Sequence, residues 1–287
     1  MKLSQIHVRD PFVLPVDGVY YLYGTIRGTR RGDTMEFPAY TSRDLTEWEE
    51  TKITLDFSNG FWADSDFWAP DVFLWRGKYY LFLSCIAEGR KRGTHIFVSD
   101  SPTGIFTPVS PDPITPRDRQ CLDATLYVED GVPYLLYSWE WLEVGNGRIV
   151  ISRLSDDLTE RLDDGVEILD AFSSGISNEI SGLRRGEKVS GYVTDSPLIY
   201  KTKSGRYLLL WSTFGDNGYN IAVAASDSLT GKYRHEKLLF DGDGGHAMLF
   251  NTFEGEKKIS FHLPNSSPLE RPCLRAVTEL ENTLVIQ

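Results

Sequence analysis

Asp10, Asp71, Asp123, Asp195 and His246 each open a short apolar run, which is followed by a Gly-containing turn and a second run rich in aromatics. Carboxylates and imidazoles move protons near neutral pH, and do so most usefully in groups whose surroundings push their acidities apart. The openers recur 51 to 72 residues apart, the period of a chain that repeats one supersecondary unit. If every unit delivers its opening residue to one place, four carboxyl groups and an imidazole converge there. Crowding like charges raises at least some of their pKa values, which suits proton transfer, a cation or a hydroxyl-rich ligand. The plainer reading, an Asp that caps the turn before its strand, holds for any one of them. Recurrence across units favours the functional reading.

The elements that must position these residues are strands. Val8 to Tyr23 reads as a β-hairpin: an Asp-Pro step, an apolar run, a Val-Asp-Gly turn, then alternating Tyr and Leu. The first four hairpins lead on to a Ser-Asp or Ser-Arg-Asp turn, at Ser42, Ser99, Ser155 and Ser226, which gives about four strands per unit. No segment of helical period is long enough to be a crossover, so the sheets should be antiparallel. Four-stranded units repeated five times predict an all-β, five-bladed β-propeller around a central channel, as one domain over residues 1–287. The innermost strand of each blade lines the channel, placing all five openers in a ring at its mouth. Leu3 to Val8 is expected to supply a strand that closes the last unit. Ala171 to Gly191 is an irregular insertion between the third and fourth units.

A formal charge of -11 and a pI near 5.0 argue against nucleic-acid and anionic-membrane partners and for a neutral ligand. Hydrophobic residues make up 41% of the chain, ample for a core. Cys85, Cys121 and Cys273 are too few and too scattered for a disulfide framework or a zinc ribbon. No apolar leader precedes the first hairpin, so a cytoplasmic protein is expected unless a signal has been removed. Dinucleotide, phosphate-loop, zinc-protease and serine-hydrolase motifs do not occur.

At its openers the sequence resembles glycoside hydrolase family 43, the five-bladed propeller enzymes that cleave arabinofuranosyl, xylosyl or galactosyl residues from plant polysaccharides with inversion. Arg9-Asp10-Pro11 is similar to the first-blade motif, Trp68-Ala69-Pro70-Asp71 to the second, Leu122-Asp123-Ala124 to the third, Asp195-Ser196-Pro197 to the fourth and Gly244-Gly245-His246 to the fifth. The resemblance implies Asp10 as general base, Asp123 as the residue that adjusts the acid, Asp195 as general acid, and His246 near a central metal or water. No cofactor is implied for the chemistry, and the implied partner is an oligosaccharide or polysaccharide, with oligomeric state open. The family usually has Glu where this chain has Asp195, one methylene shorter, and a misplacement of about 1 Å can cost roughly 10²-fold. An alternative is therefore a carbohydrate-binding propeller with impaired catalysis.

Glu140 is a second candidate acid. It ends the strand antiparallel to the one Asp123 opens, hence at the same end of the unit, and Trp139 and Trp141 flank it. Glu179 in the insertion is a third. Trp62, Phe67, Trp68, Trp139, Trp141 and Phe214 fall near the same edge, where rings can stack on sugars or fill a core; Trp68, Trp141 and Phe214, with Asp71, are the expected substrate contacts. His246 follows Asp241-Gly242-Asp243 but lacks the rest of a calcium loop, so it could ligate a structural calcium or hold water. Arg148 and Arg275 could reach sugar hydroxyls or lie on the surface.

Overall fold

The structure, a computed structural model, describes residues 1–25, 32–184 and 186–287, with Arg184 described by its backbone only. It is all-β. Strands β1 (Arg9–Val16), β2 (Val19–Thr25), β3 (Thr34–Ser42) and β4 (Glu49–Asp56) form an antiparallel meander. The next comprises β5 (Ser65–Trp75), β6 (Lys78–Ile86), β7 (Gly93–Ser99) and β8 (Ile105–Pro108). A third comprises β9 (Cys121–Glu129), β10 (Val132–Trp139), β11 (Arg148–Arg153) and β12 (Val166–Asp170), with a one-turn helix α1 (Trp141–Val144) after β10. A hairpin of β13 (Ile180–Arg184) and β14 (Glu187–Gly191) follows. Then come β15 (Asp195–Lys201), β16 (Tyr207–Gly215), β17 (Gly218–Ser226) and β18 (Arg234–Asp241), and last β19 (Gly245–Asn251), β20 (Lys257–Leu263), β21 (Arg271–Leu280) and β22 (Thr283–Ile286). A short parallel pairing of Thr54 and Leu55 with Ile105 and Phe106 joins β4 to β8. No helix among the described residues is long and apolar enough to cross a membrane.

Local sequence explains the hairpins. Asp17-Gly18 and Asp130-Gly131 put two successive residues at positive φ (48° and 75°, 50° and 80°). This two-residue turn matches the twist of the flanking strands and favours Asp-Gly. The meanders then stack face to face in chain order: β1 against β5, β6 against β9, β9 against β15, β15 against β19, and β19 and β20 back against β1. Apolar clusters lie between neighbours, such as Phe12, Phe67 and Phe97 between the first and second, and Leu209, Trp211 and Ile149 between third and fourth. Each fully buried side chain of this size contributes roughly 1.5–3 kcal/mol, so every meander is stabilised mainly by the two beside it.

Two expectations are corrected. Leu3 to Val8 adds no strand: Leu3–Gln5 is a 3-10 turn packed on β21, with Arg271 Nε donating to Ser4 O at 2.9 Å, and β21 and β22 complete the last meander themselves. The insertion is not irregular either. It folds back as the β13–β14 hairpin onto α1, and Gly182 lies so close to Trp141 that a Cβ there would meet its ring at 2.7 Å.

The innermost strand of every meander carries the same bulge. Its register shifts between Arg9 and Phe12, Trp68 and Asp71, Leu122 and Thr125, Asp195 and Leu198, and Gly245 and Met248. The residue after the first of each pair is left-handed: Asp10 (φ 52°), Ala69 (50°), Asp123 (52°), Ser196 (45°) and His246 (60°). Such backbone costs about 1–2 kcal/mol outside Gly. Four of these N–H groups find a side-chain acceptor on the second strand of the preceding meander. Ala69 N donates to Thr25 Oγ1 (2.8 Å), Asp123 N to Ser84 Oγ (2.8 Å), His246 N to Ser212 Oγ (2.9 Å) and Asp10 N to His262 Nδ1 (3.2 Å). The exception is Ser196 N, which donates to the Asp123 carboxylate at 3.1 Å, while Ser138 Oγ, the equivalent acceptor, is buried without a partner.

Candidate active site

The bulges re-aim side chains at one end of the ring. A cavity of about 680 Å³ opens there, lined by Arg9, Asp10, Thr25, Asp66, Trp68, Leu122, Asp123, Glu140, Trp141, Asp195, Tyr219, His246, Asn265 and Ser267. Asp10, Asp123 and His246 occupy equivalent left-handed positions, and Asp195 stands one residue earlier in its strand.

Asp10 is held as a carboxylate. Burial alone would push its pKa up, but His246, which is protonated in the acidic range where Asp10 titrates, together with His262 and Arg9 outweighs that and brings it below the usual range. Thr25 Oγ1 donates to Asp10 Oδ2, and His246 Nδ1 lies 3.2 Å from Oδ1. Burial lowers His246 to about 4, so its imidazole is neutral at pH 7 and we assign the Nδ1–H as donor to Asp10. Arg9 Nη2 donates to Asn265 Oδ1 at 2.6 Å and Nη1 pairs with Glu270 at 2.9 Å, so the cation is itself anchored.

Asp123 and Asp195 behave oppositely. Burial, and then the charge of Asp195, raise Asp123 well above the ordinary carboxyl value. Burial pushes Asp195 up to about 7, opposed by a hydrogen bond from Tyr219 and assisted by Glu140 and Asp10. Two buried carboxyl groups that feel each other do not both ionise at neutral pH, so the pair keeps a proton. The site thus holds a carboxylate at Asp10 and a carboxylic acid within the Asp123–Asp195 pair, the two protonation states that general base and general acid require. Glu140, 7% exposed, is also raised by burial, but the buried Arg92 pulls it back, with Nε 3.6 Å from Glu140 Oε2. The same guanidinium lies 3.8 Å over Trp68 and donates to Asp66 Oδ2 at 3.0 Å.

Several expected residues are elsewhere. Asp71 sits two residues beyond the bulge position, off the cavity lining, so the expected ring of five is not formed. Phe214 packs on Tyr219 at 5.1 Å rather than lining the cavity. Phe67 is core, Trp62 donates to His95 and Trp139 to Glu143. Glu179 accepts from Ser190, and Arg148 pairs with Glu167. Among the described residues no group of three or more His, Cys, Asp or Glu is arranged to hold a metal ion. With Nδ1 of His246 turned to Asp10, Nε2 is the ring atom left to face an ion or an ordered water.

Sequence reasoning missed Thr25, Arg92 and Tyr219. The strand rule that found Glu140 would have found all three, because Thr25 ends β2 as Glu140 follows β10, and a third strand starts at the end where the first one starts. Arg92 precedes β7 and Tyr219 is the second residue of β17.

A ring of antiparallel sheets with opposed carboxyl groups in a cavity at one end is the equipment of a hydrolase that cleaves glycosidic bonds. Residues 3–283 match the description of Glycosyl hydrolases family 43, and the chain belongs to that family and is a glycoside hydrolase. It is 36% identical to the endo-arabinase of Bacteroides thetaiotaomicron, covering 99% of this chain and 98% of that one with a TM-score of 0.87. An extracellular exo-alpha-(1->5)-L-arabinofuranosidase of Cellvibrio japonicus is 24% identical over 86% of this chain and 72% of its own length. An extracellular endo-alpha-(1->5)-L-arabinanase of Thermotoga petrophila is 25% identical over 79% of this chain and 50% of its own.

Proposed function

We propose that this is an inverting, exo-acting glycosidase that removes neutral furanosyl or xylosyl residues from plant oligosaccharides or polysaccharides, with α-1,5-linked arabinofuranosyl chains as the leading substrate. In this reading the meanders are the five blades of one catalytic domain. Asp10 is the base that takes a proton from water, Asp195 protonates the departing glycosidic oxygen, Asp123 keeps Asp195 protonated, and Trp68 and Trp141 stack on the sugar. The observation that carries it is the split in acidity between Asp10 and the Asp123–Asp195 pair across one cavity. Arabinan is favoured because the relatives above are named for it. Two of those names specify endo cleavage, which makes an endo-acting enzyme the competing reading. The Asp at position 195, one methylene shorter than the family's usual Glu, favours a second reading, a sugar-binding propeller with little turnover.

Proton NMR of the first anomer formed from aryl arabinofuranoside, xyloside and galactofuranoside should show inversion, and linear arabinan should release monosaccharide first. Initial retention overturns the mechanism, and early release of oligosaccharides replaces exo by endo action. Asp10→Asn should cut hydrolysis by at least about 10²-fold. Sugar binding without turnover on any panel member selects the binding protein.

A further inference from the structure

Among the described residues one phenol lines the cavity, and it is aimed at a carboxyl group. Tyr219 Oη donates to Asp195 Oδ2 at 3.0 Å. The ring is 3% exposed and held on three sides: it stacks on His262 at 5.7 Å between centroids, packs against Phe214, and faces Gly245, where any side chain would collide with it. Burial and the surrounding carboxylates raise its pKa well above the ordinary phenol value, so it is neutral and a fixed donor. Asp195 is otherwise faced by Asp123, Asp10, Glu140 and Arg9. Among these only Arg9 is a cation, and it is engaged with Glu270 and Asn265.

We infer that Tyr219 is a positioning residue for the acid, fixing Oδ2 of Asp195 as hydrogen-bond acceptor so that Oδ1 carries the proton delivered to the leaving group. This rests on the reading of Asp195 as the acid. A carboxylic acid with one oxygen already accepting from a fixed O–H keeps its own proton on the other oxygen. Asp195 is short and has a single rotatable bond beyond Cβ, so an anchor at Oδ2 also sets where Oδ1 points. In the step itself the proton passes from Oδ1 to the glycosidic oxygen as the carbon–oxygen bond breaks, and both bonding electrons leave with that oxygen. Water adds to the anomeric carbon and gives its proton to Asp10. As Asp195 becomes an anion its bond from Tyr219 turns charge-assisted and strengthens, so the phenol favours the product side of proton transfer.

The test compares Tyr219→Phe, Asp195→Asn and the parent enzyme on nitrophenyl and dinitrophenyl glycosides over a range of pH. Tyr219→Phe should lower kcat/KM about tenfold on the poorer leaving group with little change on the better one. The basic limb of its profile should move up by roughly one unit, since the carboxylate loses a charge-assisted donor. Equal losses on both leaving groups with an unmoved basic limb, the result of loosened packing alone, overturn the inference. Asp195→Asn separates the two levels of argument. If it loses activity equally on both substrates, Asp195 is not the acid and the proposal falls with that reading. If it shows the leaving-group dependence and Tyr219→Phe does not, only the role of Tyr219 is wrong.

Discussion

Among single residues, Asp71 makes the sharpest prediction because its carboxyl is buried, off the cavity, and has Oδ1 without a partner. Burial, opposed by the nearby Thr125 hydroxyl, which stands outside hydrogen-bond geometry, and helped by Asp10, pushes it up to about 8 from an ordinary carboxyl value. The folded chain therefore binds more protons than the unfolded one between about pH 4 and 8. Its contribution to stability is complete below the unfolded value and declines as pH rises toward the folded one. Asp71→Asn removes that decline. Its gain over the parent in denaturant unfolding should be larger at pH 8 than at pH 4.5 by at least about 1.4 kcal/mol, the worth of one pKa unit. Parallel pH dependences for the two proteins would refute the buried acid. The sequence marked Asp10, Asp123, Asp195, Glu140 and His246 correctly as cavity residues, because each stands at a strand end that the repeat sends to one place. It misplaced Asp71 because openers were matched by residue type. Matching on the following residue instead, Pro11, Pro70, Ala124, Pro197 and Ala247, gives the register found in the structure.

For the strands, that register was only half legible. Hairpins and their turns follow from Asp-Gly and from alternating aromatics, which are local signals. The bulge is invisible to such signals, because its left-handed residue is Asp, Ala, Ser or His and it is held by a partner from another meander. Those partners are Thr25, Ser84, Ser212 and His262, each paired across the strand with the residue just before the bulge. Removing one leaves a buried N–H unsatisfied, which costs roughly 1–3 kcal/mol. Ser84→Ala and Ser212→Ala should therefore lower stability by that amount in equilibrium unfolding. Ser138→Ala should cost markedly less, because its hydroxyl holds nothing and Asp123 has taken over the bond to Ser196 N. Equal losses in all three would show that the hydroxyls act through packing. The substitution at this one junction ties the Asp123 carboxylate to the strand that carries Asp195, which is a structural reason for the two to titrate together.

For the whole molecule, stacking of units in chain order was legible from the period, whereas the manner of closure was not. An N-terminal strand was expected in the last sheet, and instead β19 to β22 come entirely from the end of the chain and β1 to β4 entirely from its beginning. Side chains make the seam: Asp10 N–H to His262, Ser260 Oγ to Pro11 O at 2.6 Å, and Arg9 to Glu270 and Asn265. Among the described residues the ring therefore has a seam but no clasp. A circular permutant follows directly. Joining Gln287 to Met1 through a flexible linker and opening the chain at the exposed Arg117–Asp118 turn splits no sheet and breaks none of the seam contacts. Such a permutant should keep the parent's circular dichroism, unfold within a few degrees of it and retain hydrolysis. If it collapsed instead, the order of synthesis, with the first sheet waiting for the last, would be part of what makes the ring close.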